Sequence, residues 1–531
     1  MAELSSLTEK LIQKYQDWQT SLAQKEGAPV LSVDEVASRL AFFYEKIKSI
    51  VDWHEEHLIR KVAIERDLKR RMVFQKENKS LAESLILELI RAGYFENGKI
   101  EEIRVSEVQK ALDKYSYIIK NSPEHPKKKE LSRWLLGLAA CEIEEILDPP
   151  TKQKALLDYM FESMIQKIQL SPEAIEKYHL TEEEKNVLIY IACQKSLFKL
   201  DSTLIAYHLL RLQYPDWDDL GGSRLEYLAS NIYLIWGNIK KEFRHPAAKK
   251  IYAICEKYDA AYLILGDVIS EEPEKSEELL KNPDLFEKAI GAAYDKREKI
   301  IKARVRRAAI YATLSIFISK ILIVLALEIP FDRYVAGRFS YFSLIINVLI
   351  PPLLMFLLII SIRPPDQENR QRLIMETIKI AYHHDKQDYY PVKTPRKRGG
   401  ITNIFIYLVY LLTFLLSFGI IIWFLGKIHF SYFSQVVFIF FVCLIAFAGV
   451  KIRDRARELE IIEKREKVLS FVIDLLSLPI VKIGRWLAKQ LSKYNAIIIF
   501  LAIIIDTPFQ VFVEFLEKWR AFLKEKKADD V

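Results

Sequence analysis

Cysteine, glycine and proline are scarce in this chain, and each scarcity excludes something. Four cysteines in 531 residues, Cys141, Cys193, Cys255 and Cys443, form no CxxC pair and carry no metal-ligand spacing. That pattern argues against a disulfide framework and a zinc module, and for buried thiols in a reducing compartment. Only 16 glycines and 19 prolines leave too few turn residues for a many-stranded sheet, so an all-α chain of long helices is expected. Phosphate-cradling GxxxxGK[ST] and GxGxxG motifs are missing, as are a GxSxG elbow and an HExxH pair. The usual signatures of nucleotide motors, Rossmann enzymes, serine hydrolases and zinc proteases are therefore absent, and no catalytic residue, cofactor or metal site is nominated. The first 26 residues carry Glu3, Glu9, Asp17 and Glu26 without a continuous apolar core. They read as neither a secretory signal nor an Arg-rich transit peptide, so membrane entry is expected to be driven by internal segments.

What the chain does have is unevenly distributed. Its residues are 51% hydrophobic and 28% charged, with a formal net charge of +8. The apolar share concentrates after about residue 305, where four stretches are long enough to cross a bilayer: Ala308 to Ile329, Tyr341 to Ile362, Ile401 to Leu425 and Phe430 to Val450. At about 1.5 Å per residue, some 20 residues cover the roughly 30 Å hydrocarbon core. The flanking charges set an orientation. Lys296, Arg297, Lys299, Lys302, Arg304, Arg306 and Arg307 precede the first span, and Lys451, Arg453, Arg455 and Arg457 follow the fourth. The loop between the second and third spans is also basic, whereas the other two loops are short and poor in charge. Basic residues stay on the cytoplasmic side, so two hairpins with both termini in the cytoplasm of a cell (inner) membrane are expected. The corresponding domain plan is a helical cytosolic domain over 1–300, hairpins over 301–363 and 401–450, a basic cytosolic loop over 364–400 and a C-terminal region over 451–531.

Within the cytosolic part, Val33 to Gln75 has neither glycine nor proline and reads as one long helical arm. Shorter helices are expected between breaks at Asn97-Gly98, Ser122-Pro123, Pro149-Pro150, Ser171-Pro172, Pro215-Asp216 and Gly221-Gly222. The last of them, from about Asn282, continues without a breaker into the first span. His54 with His57, and His383-His384-Asp385, lack a third ligand and read as solvated surface.

The C-terminal region is amphipathic. Ile480, Ile483, Leu487, Leu491 and Tyr494 recur at helical spacing opposite Lys482, Arg485, Lys489 and Lys493. A further stripe, with Trp519 at its centre, follows Thr507-Pro508. These patterns suit helices at a membrane surface, where Lys482, Arg485, Trp486, Lys489, Lys493 and Trp519 would meet anionic headgroups. Packing on the cytosolic domain, or a re-entrant hairpin, would give similar patterns.

One residue invites a functional hypothesis. Lys320 falls near the middle of the first span, where an unpaired lysine costs several kcal/mol. Glu328 is about 12 Å further along in rise, a spacing that argues against a direct ion pair on a straight helix. Asn347, a second copy of the chain, or water are the neighbours expected instead. Pro351-Pro352 would break the second span and free backbone carbonyls, which is tolerated where protein or water satisfies them. Lys320, Glu328, Asn347, Pro351 and Pro352 together make a candidate intramembrane polar site. Two functions fit this reading: a membrane-anchored helical scaffold that docks a cytosolic protein, and a small-solute or ion transporter built on Lys320 and the prolines. The basic clusters abut hydrocarbon-length runs, so lipid explains them better than nucleic acid.

Overall fold

A computed structural model describes residues 3–23, 29–33, 56–74, 81–335, 337, 340–362, 365–383, 389–392, 399–461 and 468–493, and singly Phe515, Trp519 and Phe522. Among these residues the fold is all-α apart from two three-residue strands. Along the chain the elements are α1 (Ser6–Ala23), α2 (Glu56–Phe74), α3 (Leu81–Arg91), α4 (Ile103–Asn121), α5 (Lys128–Leu147) and α6 (Thr151–Lys167). Then come β1 (Ile168–Leu170), α7 (Pro172–Tyr178), α8 (Glu182–Leu197), α9 (Ser202–Gln213), α10 (Gly222–Arg244), α11 (Ala248–Glu271), α12 (Ser276–Lys281) and α13 (Pro283–Ile323). After α13 follow α14 (Ile329–Tyr334), α15 (Tyr341–Ile360), α16 (Gln367–Ala381), β2 (Tyr390–Val392), α17 (Gly400–Lys427), α18 (Tyr432–Ala456) and α19 (Val468–Lys493). Of the arm expected over Val33–Gln75, only Val33 and α2 fall within the described residues.

The chain divides into two compact units, one comprising 1–293, 374–394 and 502–531, the other 294–373 and 395–501. The boundary falls inside α13, which is helical without interruption from Pro283 to Ile323, as the lack of a breaker predicts.

The first unit is a helical assembly, and some of its helices start on side-chain caps. Thr181 and Glu184 form a reciprocal capping box at the start of α8, and Asp201 accepts from the Leu204 amide at the start of α9, each satisfying amides that the first helical turn leaves unpaired. Apolar faces at three- and four-residue spacing, such as Leu85, Ile86, Leu89 and Ile90 of α3, are fully buried. The pairs α8 with α11, and α2 and α4 with α5, carry much of this packing. Gly266 matters here: a Cβ on it would come within 2.8 Å of the Leu156 side chain, so α11 reaches α6 this closely because position 266 lacks one.

The segment expected as a basic loop is partly ordered. α16 buries Leu373, Thr377, Ile380 and Ala381, and β2 pairs in parallel with β1, Ile168 opposite Tyr390 and Leu170 opposite Val392. Thr8 and Tyr159 hydroxyls both donate to carbonyls at the end of α16, and Tyr390 stacks on Tyr258 at 4.4 Å between ring centroids. Polar composition concealed this order, because the helix's apolar positions are few among Glu, Arg and Lys.

Among the described residues, four helices are long and apolar enough to cross a membrane: Pro283–Tyr334, Tyr341–Ile360, Gly400–Lys427 and Tyr432–Ala456. Met355, Phe441, Ile445 and Ile452 form one cluster where α15 meets α18, and Leu425, Phe430 and Phe438 form another near the turn between α17 and α18. Pro351 and Pro352 lie within an unbroken α15, so the expected break is not a gap in the helix. Proline removes the amides that would bond to the carbonyls of Asn347 and Val348, yet its φ suits the helix and packing supplies the remainder.

α19 has packing partners that its sequence pattern did not name. It packs along α17 and α18, with the Ser417 hydroxyl donating to the Leu476 carbonyl at 2.7 Å and Gly484 against Cys443, midway along α18. A Cβ at 484 would fall 1.9 Å from the Cys443 carbonyl oxygen. An apolar stripe with a glycine beside it serves close helix–helix approach as well as it serves a headgroup layer. Cys443 is fully buried under this contact. Gly484→Ala is therefore expected to lower the thermal midpoint of the full-length protein and to speed maleimide labelling of Cys443; unchanged labelling would show that the contact does not hold α19.

Candidate functional site

α13 ends in a five-residue π-helical turn, Val324–Glu328, before α14 continues. In an ideal α-helix Lys320 and Glu328 would point about 80° apart, and a wider π turn removes part of that offset. Side chains in helices lean toward the N-terminus, so Glu328 reaches back while the long lysine stem reaches forward. The result is a direct ion pair, Lys320 Nζ to Glu328 Oε1 at 2.5 Å, with neither side chain exposed. This corrects the spacing argument, which counted helical rise and omitted the reach of the two side chains.

Other elements complete the cluster. From α15, Asn347 Nδ2 donates to Glu328 Oε2. From α18, Ser434 Oγ lies 3.2 Å from Glu328 Oε2 and 3.1 Å from Asp332 Oδ2, and the Phe441 ring faces the Lys320 ammonium at 5.1 Å. Asp332, Ser434 and Phe441 carried no signal as site residues: in sequence, Asp332 reads as a loop charge, and Ser434 and Phe441 as ordinary span residues. Beside the cluster is a polar cavity of about 10 Å³ bounded by Asp332, Ser343, Asn347, His429, Ser431 and Ser434. Pro351 and Pro352 do not line it. Pro352 instead borders an apolar groove of about 690 Å³ between α13 and α15, with Lys302 and Arg306 at its edge.

A buried ion pair survives because each partner's desolvation is offset by the other and by further hydrogen bonds, and breaking it by removing one partner costs about 3–5 kcal/mol. Lys320→Met alone should therefore destabilise the second unit on that order, whereas Lys320→Met with Glu328→Leu should recover most of the loss. A double variant no more stable than the single one in thermal unfolding would contradict the pairing.

The first unit has its own polar core on the inner face of α5. Glu142 accepts from Lys114 Nζ at 2.6 Å, Tyr115 Oη at 2.9 Å and Trp217 Nε1 at 3.2 Å. Glu144 pairs with Arg60 at 2.7 Å, and Glu145 with His208. Glu142 and Glu145 border an open groove of about 810 Å³ whose rim carries Lys14, Arg104, Lys110 and Trp18. Burial raises the Glu142 carboxyl above its ordinary value despite Lys114, and burial pushes Glu144 up to about 7 despite Arg60. Among the described residues no group of His, Cys, Asp and Glu is arranged to hold a metal ion. Cys193 and Cys255 are free and buried with their sulfurs 3.9 Å apart.

The remaining sequence candidates are scattered. Lys482, Arg485, Trp486 and Lys489 are exposed on α19, with the Lys482 ammonium 4.7 Å from the Tyr410 ring centroid. The Lys493 side chain falls outside the described residues. Trp519 is half exposed and stacks on Phe515. His383 is exposed, and His54 and His384 lie outside the described residues.

Compared with known proteins, the chain matches no family model, no curated protein and no solved structure.

The raised Glu144 value has a signed consequence. Between pH 4.5 and about 7 the folded state keeps a proton that the unfolded chain releases, so stability falls as pH rises through that window. A shift of this size corresponds to roughly 3 kcal/mol. The difference in unfolding midpoint between wild type and Glu144→Gln should thus move in favour of the variant between pH 4.5 and 7; parallel profiles would refute the burial argument.

Proposed function

We propose that the chain is a multi-pass protein of a cytoplasmic (inner) membrane, with both termini in the cytoplasm, whose first unit docks a cytosolic protein. The orientation rests on the basic flanks of the four apolar helices. The docking reading rests on one observation, the 810 Å³ groove of the first unit. Its lining includes Lys14, Arg104 and Lys110, Asp17, Glu107 and Asp158, and Trp18. Aromatic anchors framed by charges of both signs are the composition that gives protein interfaces their affinity and register. Anionic lipid headgroups at the basic flanks would hold the anchor in place.

Full-length protein in mild detergent should retain a stoichiometric protein partner. The triple variant Lys14→Glu, Arg104→Glu, Lys110→Glu should lower its recovery by about tenfold, since like charges across an interface cost several kcal/mol. Equal recovery by both baits would remove the groove from the reading.

The buried Lys320–Glu328 cluster favours a second reading, passage of a small ion or solute through the second unit. Its cavity of about 10 Å³ suits a species no larger than a water molecule. Flux into proteoliposomes that disappears in the double variant Lys320→Met with Glu328→Leu, while that variant keeps its unfolding midpoint, would favour passage over docking.

A further inference from the structure

The polar cluster of the second unit carries unequal charge. Lys320 supplies one positive charge, and Glu328 and Asp332 supply two negative ones. Ser434 Oγ lies within hydrogen-bond distance of both carboxylates, but a hydroxyl has a single hydrogen and can donate to only one of them. Two acceptor oxygens remain over: Asn347 Oδ1 and Asp332 Oδ1 are shielded from solvent and have no hydrogen-bond partner. The Asn347 side chain is on a residue 2% exposed, so its unpartnered oxygen is a costly feature unless something meets it. Both residues line the same cavity, whose volume of about 10 Å³ is near what one water or one small ion fills.

Among the described residues, the other groups facing the cluster leave its charge as counted. His429 borders the cavity from the turn between α17 and α18, and it is neutral unless protonated. α15 brings Ser343 and Asn347, and α18 brings Ser434, none of them charged. Arg333, next to Asp332, is exposed. An unbalanced negative charge among apolar helices is expensive, and an occupant of the cavity that both residues line would lower that cost by donating hydrogen bonds or positive charge.

We infer that this cavity is a binding site for one monovalent cation, either a proton or a sodium ion, held by Asp332, Asn347 and Ser434. The bound cation neutralises the cluster and gives both orphaned oxygens a partner. Asp332 supplies the charge, Asn347 a neutral carbonyl oxygen, and Ser434 the link to the Lys320–Glu328 pair. The inference stands on this geometry whether or not the chain moves a solute.

The test uses the full-length protein in lipid nanodiscs, comparing wild type with Asp332→Asn, Ser434→Ala and, as an exposed-carboxylate control, Glu368→Gln. Thermal midpoints are read in sodium chloride against choline chloride at several pH values. A ligand that binds only the folded state raises the midpoint. Wild type and Glu368→Gln should be stabilised by sodium at fixed pH, or by lowering the pH in choline, and both cavity variants should lose that response. A sodium response at constant pH assigns the cation as sodium. A response to pH alone, with an infrared carboxylic-acid band that vanishes in Asp332→Asn, assigns it as a proton. If wild type and both cavity variants respond alike to sodium and to pH, the inference is overturned. Should Asp332→Asn fail to assemble, Ser434→Ala decides by the same criteria.

Discussion

A charge taken out of water has to find its counter-charge inside the protein, and both units are organised around that requirement. In the second unit, Lys320 and Glu328 meet between apolar helices, and α15 and α18 are both drawn to the same point, through Asn347 and through Ser434 and Phe441. In the first unit, three glutamates in the last turns of α5 each take a basic partner from another helix. Such pairs fix geometry more than they add stability, because an offset partner leaves a bare charge in a medium that cannot solvate it.

The residues around each pair follow from that constraint. The π turn at 324–328 lets the first long helix present Lys320 and Glu328 toward one another. Trp217 and Tyr115, large and buried, serve the Glu142 carboxylate with their single polar hydrogens while filling the space beside it. Even after this, polar capacity remains at Asn347 and Asp332. Both residues line one small polar cavity.

Close approach is the second theme. Gly266 in the first unit and Gly484 in the second each stand where a side chain would strike a neighbour. At Gly484 the neighbour is backbone, which cannot rotate away, so α19 comes close to α18 at this point. Lys482, Arg485 and Lys489 are exposed on the same helix.

Much of the plan was legible in the sequence because it depends on local patterns. Apolar runs of about 20 residues, turn dipeptides between helical stretches and capping residues such as Thr181 and Asp201 act over a few positions, and they determined the all-α class, the four long apolar helices and the continuity of α13. The candidate site was half legible: Lys320, Glu328 and Asn347 stood out as polar residues in apolar runs. Only the tertiary structure decided that Glu328 reaches Lys320, that Ser434 joins Asp332 to them, that 390–392 pairs with 168–170, and that α19 lies along two spans. Those outcomes depend on side-chain reach and on contacts between residues scores of positions apart, and no periodicity within a single segment encodes either.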